Sequence, residues 1–251
     1  MTAPLLETQE LRKTFGRLAA VAGVSLNLTE GTLTAIIGPN GAGKTTLINL
    51  LTGLLVPDAG TVRFKGEDIT RLPPHGRVRR GLSRSFQIMN IFPSLTARQN
   101  LLLPVLSRLG RNLRALTRLD RETEADAEVE ALLREIGLWE KRDARAGALS
   151  HGDQRLLELG IAVGTRPELC FLDEPCSGMN PIERQAVMGL MRKLSGERRT
   201  TFVIIEHDMD VVFSLSQRIV VMNHGEVLAD GTPDAIRENR AVREIYLGGE
   251  V

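Results

Sequence analysis

Cysteine is scarce in this chain. Cys170 and Cys176 are its only two in 251 residues, too few for a disulfide framework and at a spacing that fits no zinc pattern. Cys170 sits in an apolar run and reads as a small buried hydrophobe. Histidine is equally sparse: His75, His151, His207 and His224 are scattered, against a histidine-rich metal site. Charge of neither sign is in excess, with 32 Lys and Arg against 31 Asp and Glu, so no global basic field attracts nucleic acid or anionic lipid. No apolar run approaches the ~20 residues needed to cross a bilayer; "LLLPVL" at 101–106 is short and holds a proline. The opening "MTAPLLETQE" has neither the basic start nor the apolar core of a signal peptide. A membrane role is therefore expected to come through a partner. Repeats and low-complexity tracts are not evident.

What is present is a globular composition, 42% hydrophobic and 25% charged. A chain of this length suits one large domain, or a core with a smaller lobe, burying roughly 70–75% of its unfolded surface. "VSLNL" at 24–28 and "TVRF" at 61–64 alternate apolar and polar residues, as half-buried antiparallel strands do. "TLTAII" at 32–37 is a continuous β-prone run that stops at Gly38, with "KTTLINLL" opening a helix behind it. "LCFL" at 169–172 and "TFVII" at 201–205 are two more buried-strand runs. Between them Asn180, Pro181 and Glu183 are placed as N-cap, first-turn proline and capping-box partner. Ile182, Ala186, Leu190 and Leu194 predict the buried face of that helix. Strand, helix, strand at this spacing predicts a βαβ unit and a largely parallel core sheet.

The middle, 93–165, carries no strand pattern. Val129, Leu132, Leu133 and Ile136 share one helical face, with Gly137 as the stop. The expected organisation is one domain over 1–251: an α/β nucleotide-binding core with an antiparallel β part (1–92 and 166–251), and an inserted helical lobe (93–165). A hairpin is expected to turn at Asn223–Gly225.

The chemistry begins at "GPNGAGKTT", residues 38–46. Gly38, Pro39, Asn40, Gly41, Ala42, Gly43, Lys44 and Thr45 fit G-x-x-x-x-G-K-[ST] at every position, between a predicted strand and a predicted helix, with Thr46 following. Such a loop crowds backbone N–H groups around a phosphate, while the lysine reaches β and γ oxygens and the hydroxyl of Thr45 ligates Mg²⁺. "LCFLDEP" then delivers Asp173 to a strand end, where a carboxylate holds magnesium through water. Glu174 follows, placed to orient or deprotonate an attacking water.

"LSHGDQ" at 149–154 opens a helix with a serine hydroxyl and a glycine N–H, an anion-binding arrangement. Here the chain resembles the ATP-binding subunits of ABC transporters, whose signature is commonly LSGGQ, shortly before the "LDEP" strand. The resemblance covers nearly all of the chain and follows the family's motif order. It implies a P-loop NTPase core with a mostly parallel sheet, an N-terminal antiparallel β subdomain and an inserted α-helical subdomain. It also implies that Phe15 stacks on adenine, and that Gln87 touches Mg²⁺ and the attacking water. "SGMN" at 177–180 would be the D-loop, and His207 the switch histidine near the γ-phosphate. Ser150, His151, Gly152 and Asp153 would contact ATP across a dimer. The implied cofactors are ATP and Mg²⁺.

Two substitutions depart from the family pattern: His151 stands for the usual third-position glycine and Asp153 for the usual glutamine. Asn180 stands where many members have the D-loop aspartate. "EHD" at 206–208 could also be read as a metal triplet, but adjacent side chains at a strand end point apart. Arg71, Arg77, Arg79, Arg80 and Arg84 form the one basic cluster, read as a solvated face meeting a membrane subunit or its lipids rather than nucleic acid.

The stretches around Gln87 and "LSHGDQ" are most similar to motors of branched-chain amino-acid importers, relatives of which carry urea, short amides and aromatic compounds. The partners so implied are a second motor subunit, a heterodimer rather than a homodimer, integral permease subunits, and indirectly a substrate-binding protein, at the cytoplasmic face of the membrane. A soluble ABC ATPase of translation or DNA repair is the alternative from another class. It suits the chain less, because those carry two motor domains or a long coiled-coil insertion. A small-molecule kinase would share the phosphate loop but leave "LSHGDQ" and His207 unexplained.

Overall fold

The computed structural model describes residues 4–84, 91–111, 123–197 and 200–247. An antiparallel sheet is built from β1 (Leu6–Phe15), β2 (Leu18–Val24), β3 (Asn27–Leu28), β5 (Ala59–Phe64) and β6 (Glu67–Asp68), in the order β2-β1-β5-β6 with β3 also on β1. The core sheet has the order β11-β10-β4-β9-β8-β7. Its strands are β4 (Thr34–Ile37), β7 (Leu82–Arg84), β8 (Leu169–Asp173), β9 (Thr201–Ile205), β10 (Arg218–Asn223) and β11 (Glu226–Gly231). All its pairings are parallel except β10 with β11, the expected hairpin, which turns at His224–Gly225.

Every residue of β4, β8 and β9 is buried, as a sheet covered on both faces requires. The period of two then sorts their side chains. Ala35, Ile37, Cys170, Leu172, Phe202 and Ile204 join the core under the helices. Ile36, Leu169, Phe171, Val203 and Ile205 face the other way. There they pack with the antiparallel sheet and Leu47, Leu50 and Leu51 of α1 (Lys44–Thr52). At about 25 cal/mol per Å² of apolar surface removed from water, these two layers supply most of the drive to fold.

The remaining helices are α2 (Pro74–Val78), α3 (Ala97–Arg108), α4 (Thr123–Glu135), α5 (His151–Gly164), α6 (Pro181–Gly196), α7 (Met209–Leu215), α8 (Pro233–Glu238) and α9 (Arg240–Leu247). α3, α4 and α5 form the helical part: Leu101, Val105, Val129, Leu133, Ile136 and Leu157 meet in one core. Helix α4 buries the face expected of it, and Gly137 follows its end at φ 75°.

Three expectations need correction. In α6 Asn180 and Glu183 do form the capping box, and Leu190 and Leu194 are buried. Ile182, however, is 83% exposed and Ala186 is exposed too. Each four-residue step advances about 40° around a helix of 3.6 residues per turn, so a strict i+4 series walks off the buried face. The buried stripe is instead Val187, Leu190, Met191 and Leu194. The strand expected at 24–28 is split between the end of β2 and the two residues of β3.

The third correction concerns the arginine cluster. Arg71, Arg79 and Arg80 are exposed, but Arg77 is only 1% exposed. Its guanidinium donates to the carbonyls of Leu50, Leu51, Ile69, Thr70 and Leu72 at 2.7–3.0 Å. Two of those carbonyls lie in the last turn of α1, where intrahelical donors run out, although Leu50 O also accepts the Gly53 amide at 3.3 Å. Burial pulls the Arg77 pKa down to about 10, with Asp68 opposing. The Arg84 side chain is only 8% exposed, and its place is in the site.

Candidate functional site

The parallel pairing sets Ile36 beside Ile205 and Asp173 beside Ile205, so the carboxyl ends of β4, β9 and β8 stand at one level. Open α/β sheets bind ligands at such an edge. The three adjoining loops carry Gly38 to Thr46, Asp173 with Glu174, and Glu206 to Asp208. One cleft there is lined by Phe15, Lys44, Thr45, Asp173, Glu174 and His207, with the phosphate-loop backbone from Asn40 to Thr46 as its floor.

Gly43 explains why the loop needs glycine at its end. It caps α1 at φ 98°, and a Cβ there would lie 2.1 Å from the Ala20 carbonyl oxygen of β2. Both the left-handed backbone and the close approach exclude a side chain. Lys44 follows, only 7% exposed, and its Nζ donates to the carbonyls of Gly38 (2.6 Å) and Pro39 (3.0 Å). Burial lowers the lysine pKa, against Asp173 and Glu174, which raise it. The amine is thus lodged between the loop and two carboxylates. Phe15 ends β1 with 48% exposure, an open ring at the rim of the cleft.

Asp173 is 7% exposed. Burial raises its pKa, and the Arg84 guanidinium opposes that shift. Arg84 Nη2 stands 3.5 Å from Asp173 Oδ2, while Nη1 donates to Asn49 Oδ1 of α1 at 2.5 Å. The guanidinium therefore ties the end of β8 to the helix behind the phosphate loop. Glu174 has φ 49°, a left-handed conformation that costs a non-glycine residue of order 1–3 kcal/mol and clusters at functional sites. Its amide donates to Ile205 O at 2.9 Å, which holds the turn. Glu174 Oε1 is 3.1 Å from His207 Nε2.

The triplet after β9 reaches three points of the segment that follows β8. Glu206, 4% exposed, accepts the Cys176 amide at 3.0 Å. His207 meets Glu174. Asp208 caps α7 through Oδ1, and its Oδ2 accepts from Arg184 of α6 at 2.6 Å. The three side chains of the triplet thus reach separate partners.

Ser150, His151, Gly152 and Asp153 do not line the cleft; they form the start of α5. Ser150 is its N-cap, its Oγ accepting the Asp153 amide. A Cβ on Gly152 would meet Glu183 Cδ at 2.4 Å, and one on Gly178 would meet the His151 ring at 3.3 Å. The signature turn is thus packed on the segment from Gly178 to Glu183 of its own chain. Gln87 lies outside the described residues. Lys141, the ion-pair partner of Asp153, escaped the sequence reading, which placed Arg84 in a solvated basic face and Glu206 only in a metal triplet, because only packing shows what they touch.

A strand–loop–helix phosphate cradle with a carboxylate pair and a histidine at the ends of adjacent parallel strands defines a P-loop nucleoside triphosphatase. Residues 21–177 match the ABC transporter family, and 226–251 match the branched-chain amino acid ATP-binding cassette transporter family. The chain is 44% identical to the high-affinity branched-chain amino acid transport ATP-binding protein BraF of Pseudomonas aeruginosa, over 99% of both chains. It is 39% identical to LivG, the protein of the same description in Escherichia coli, again over 99% of both. Among solved structures it is similar to an ATP-binding cassette of an ABC transporter in its ADP conformation, with 34% identity and a TM-score of 0.87, covering 99% of this chain and 100% of that one. The chain belongs to the ABC transporter family of ATP-binding subunits and is an ABC-type ATPase.

Proposed function

We propose that this chain is the ATP-hydrolysing motor of an importer for branched-chain amino acids. The convergence of Lys44, Thr45, Asp173, Glu174 and His207 in one cleft carries the reading, together with full-length likeness to motors of such importers. Phe15 offers its face to adenine, the backbone from Gly38 to Thr46 holds the phosphates, and Lys44 meets the β and γ oxygens. The hydroxyl of Thr45 and the carboxylate of Asp173 are hard oxygen donors beside a phosphate site. That set suits Mg²⁺, which takes one or two protein oxygens plus phosphates and water and, when bound, neutralises phosphate charge. Glu174 accepts the proton of the attacking water, His207 orients Glu174 and the γ-phosphate, and Gln87 completes the set.

Ser150, His151, Gly152 and Asp153 lie outside the cleft of their own chain, so they serve the ATP held by a second motor subunit. A head-to-tail pair, a heterodimer as in the resemblance, then closes on two nucleotides. No described helix is long and apolar enough to cross a membrane. The force is delivered to permease subunits at the cytoplasmic face, which receive cargo from a substrate-binding protein. The test is purification of the tagged chain with its membrane subunits, reconstitution, and ATP-driven uptake of labelled leucine, isoleucine, valine and urea. Uptake of branched-chain amino acids supports the reading; uptake of urea alone would reassign the cargo, and no membrane subunit in the complex would overturn the importer.

A further inference from the structure

Asp153 sets a full negative charge one residue from Gly152 and three from Ser150. By the proposed reading, those two residues receive the terminal phosphate of a partner's ATP. A carboxylate at that spot opposes an anion, the more so once a closing interface excludes water. The fold supplies the counter-charge. Lys141 Nζ lies 2.5 Å from Asp153 Oδ2, with the carboxylate side chain 15% exposed and the lysine 52%. The 3₁₀ turn Trp139–Lys141 that presents the ammonium is braced. Arg134 and Arg142 cover the Trp139 ring at 3.9 and 4.5 Å, and Arg142 Nη1 donates to Trp139 O at 3.1 Å.

The far side of Asp153 is fixed as well. Its amide donates to Ser150 Oγ at 3.2 Å. One aspartate thereby joins the cap of α5, through its amide, to Lys141, through its carboxylate. The geometry points to Lys141 as a positioning residue for the signature turn: its ammonium cancels the Asp153 charge and holds that side chain on itself, away from the exposed Ser150 that would meet a phosphate. This rests on the proposed role of the signature turn toward the partner's ATP. It adds that the lysine and aspartate form an exchangeable unit, doing together what a neutral side chain does alone.

The experiment is a Mg-ATP titration of turnover in the transporter complex that co-purifies with the tagged chain. Lys141→Ala should raise half-saturating ATP about tenfold and leave kcat within about twofold. Lys141→Arg should restore it, and adding Asp153→Asn to Lys141→Ala should bring half-saturating ATP below that of Lys141→Ala alone, because the second change removes the charge left uncovered. Raising salt to about 0.3 M should narrow the gap between Lys141→Ala and the native chain by screening, which a lost structural prop would not do. A double variant as impaired as Lys141→Ala would show that the lysine merely supports the fold and would overturn the proposal. So would a Lys141→Ala chain indistinguishable from native. Ser150→Asn keeps an N-cap but fills the phosphate position. If it leaves half-saturating ATP unchanged, the signature reading itself has failed; if it raises it while Lys141→Ala does not, this inference alone has failed.

Discussion

The buried carboxylate of Glu206 accepts the main-chain amide of Cys176 at 3.0 Å, joining the strand end that carries His207 to the turn that carries Glu174. Burial raises the Glu206 pKa, against the amides of Cys176 and His207, which lower it. Glu206→Ala should release the turn. A displaced catalytic group costs up to about 10²-fold in rate, so kcat should drop by roughly that much, with ATP affinity little changed. Glu206→Gln keeps an acceptor oxygen and should retain most of the activity. Steady-state kinetics with separate kcat and KM check this; equal losses in both variants would place the effect in charge rather than in the hydrogen bond.

Lys44→Ala removes the ammonium from between the loop carbonyls of Gly38 and Pro39 and the carboxylates beyond them. ATP hydrolysis and uptake should fall together. Folding stability should move by only about 1 kcal/mol, the net worth of such hydrogen bonds. Urea unfolding beside an ATPase assay separates the two effects.

Arg77 makes the opposite prediction. Its five carbonyl acceptors are all structural, and Arg77→Ala removes the guanidinium from all of them, while Leu50 O and Ile69 O keep the amides of Gly53 and Leu72. A loss of about 3–5 kcal/mol is expected, the range for breaking a buried charged network. Arg77→Lys should recover part of it, since one ammonium has fewer directed donors. Urea midpoints measure the difference, and a loss below about 1 kcal/mol would show that water replaces the guanidinium.

The residues legible in one dimension were those whose chemistry is local. β4, β8 and β9 announced themselves as continuous apolar runs, and the Asn180–Glu183 box as a spacing of three. The phosphate loop was legible because glycine, lysine and threonine act within nine consecutive residues. β1 was not, because its polar residues are interrupted by bulges, with Glu10 at φ 45° and register shifts against β2 and β5. β7 is only three residues long, too short to show a period. Arg77 and Arg84 read as surface charge since nothing local reveals that their partners are carbonyls 26 and 27 residues upstream or a carboxylate on a neighbouring strand. The partner of Asp153 was equally hidden, because Lys141 lies twelve residues earlier and meets it only in the fold.

In the proposed function Glu174 takes the proton of the attacking water while Lys44, Thr45 and Asp173 hold the nucleotide. Glu174→Gln keeps the side chain's size and an oxygen toward His207 but removes the base. The decisive measurement is the identity of the nucleotide bound to the transporter complex after incubation with Mg-ATP, followed alongside turnover. Retained ATP is expected in the variant, ADP in the native complex, and turnover lower by ~10²–10⁴. A Glu174→Gln complex that carries ADP and turns over at the native rate would contradict the role of Glu174 as base.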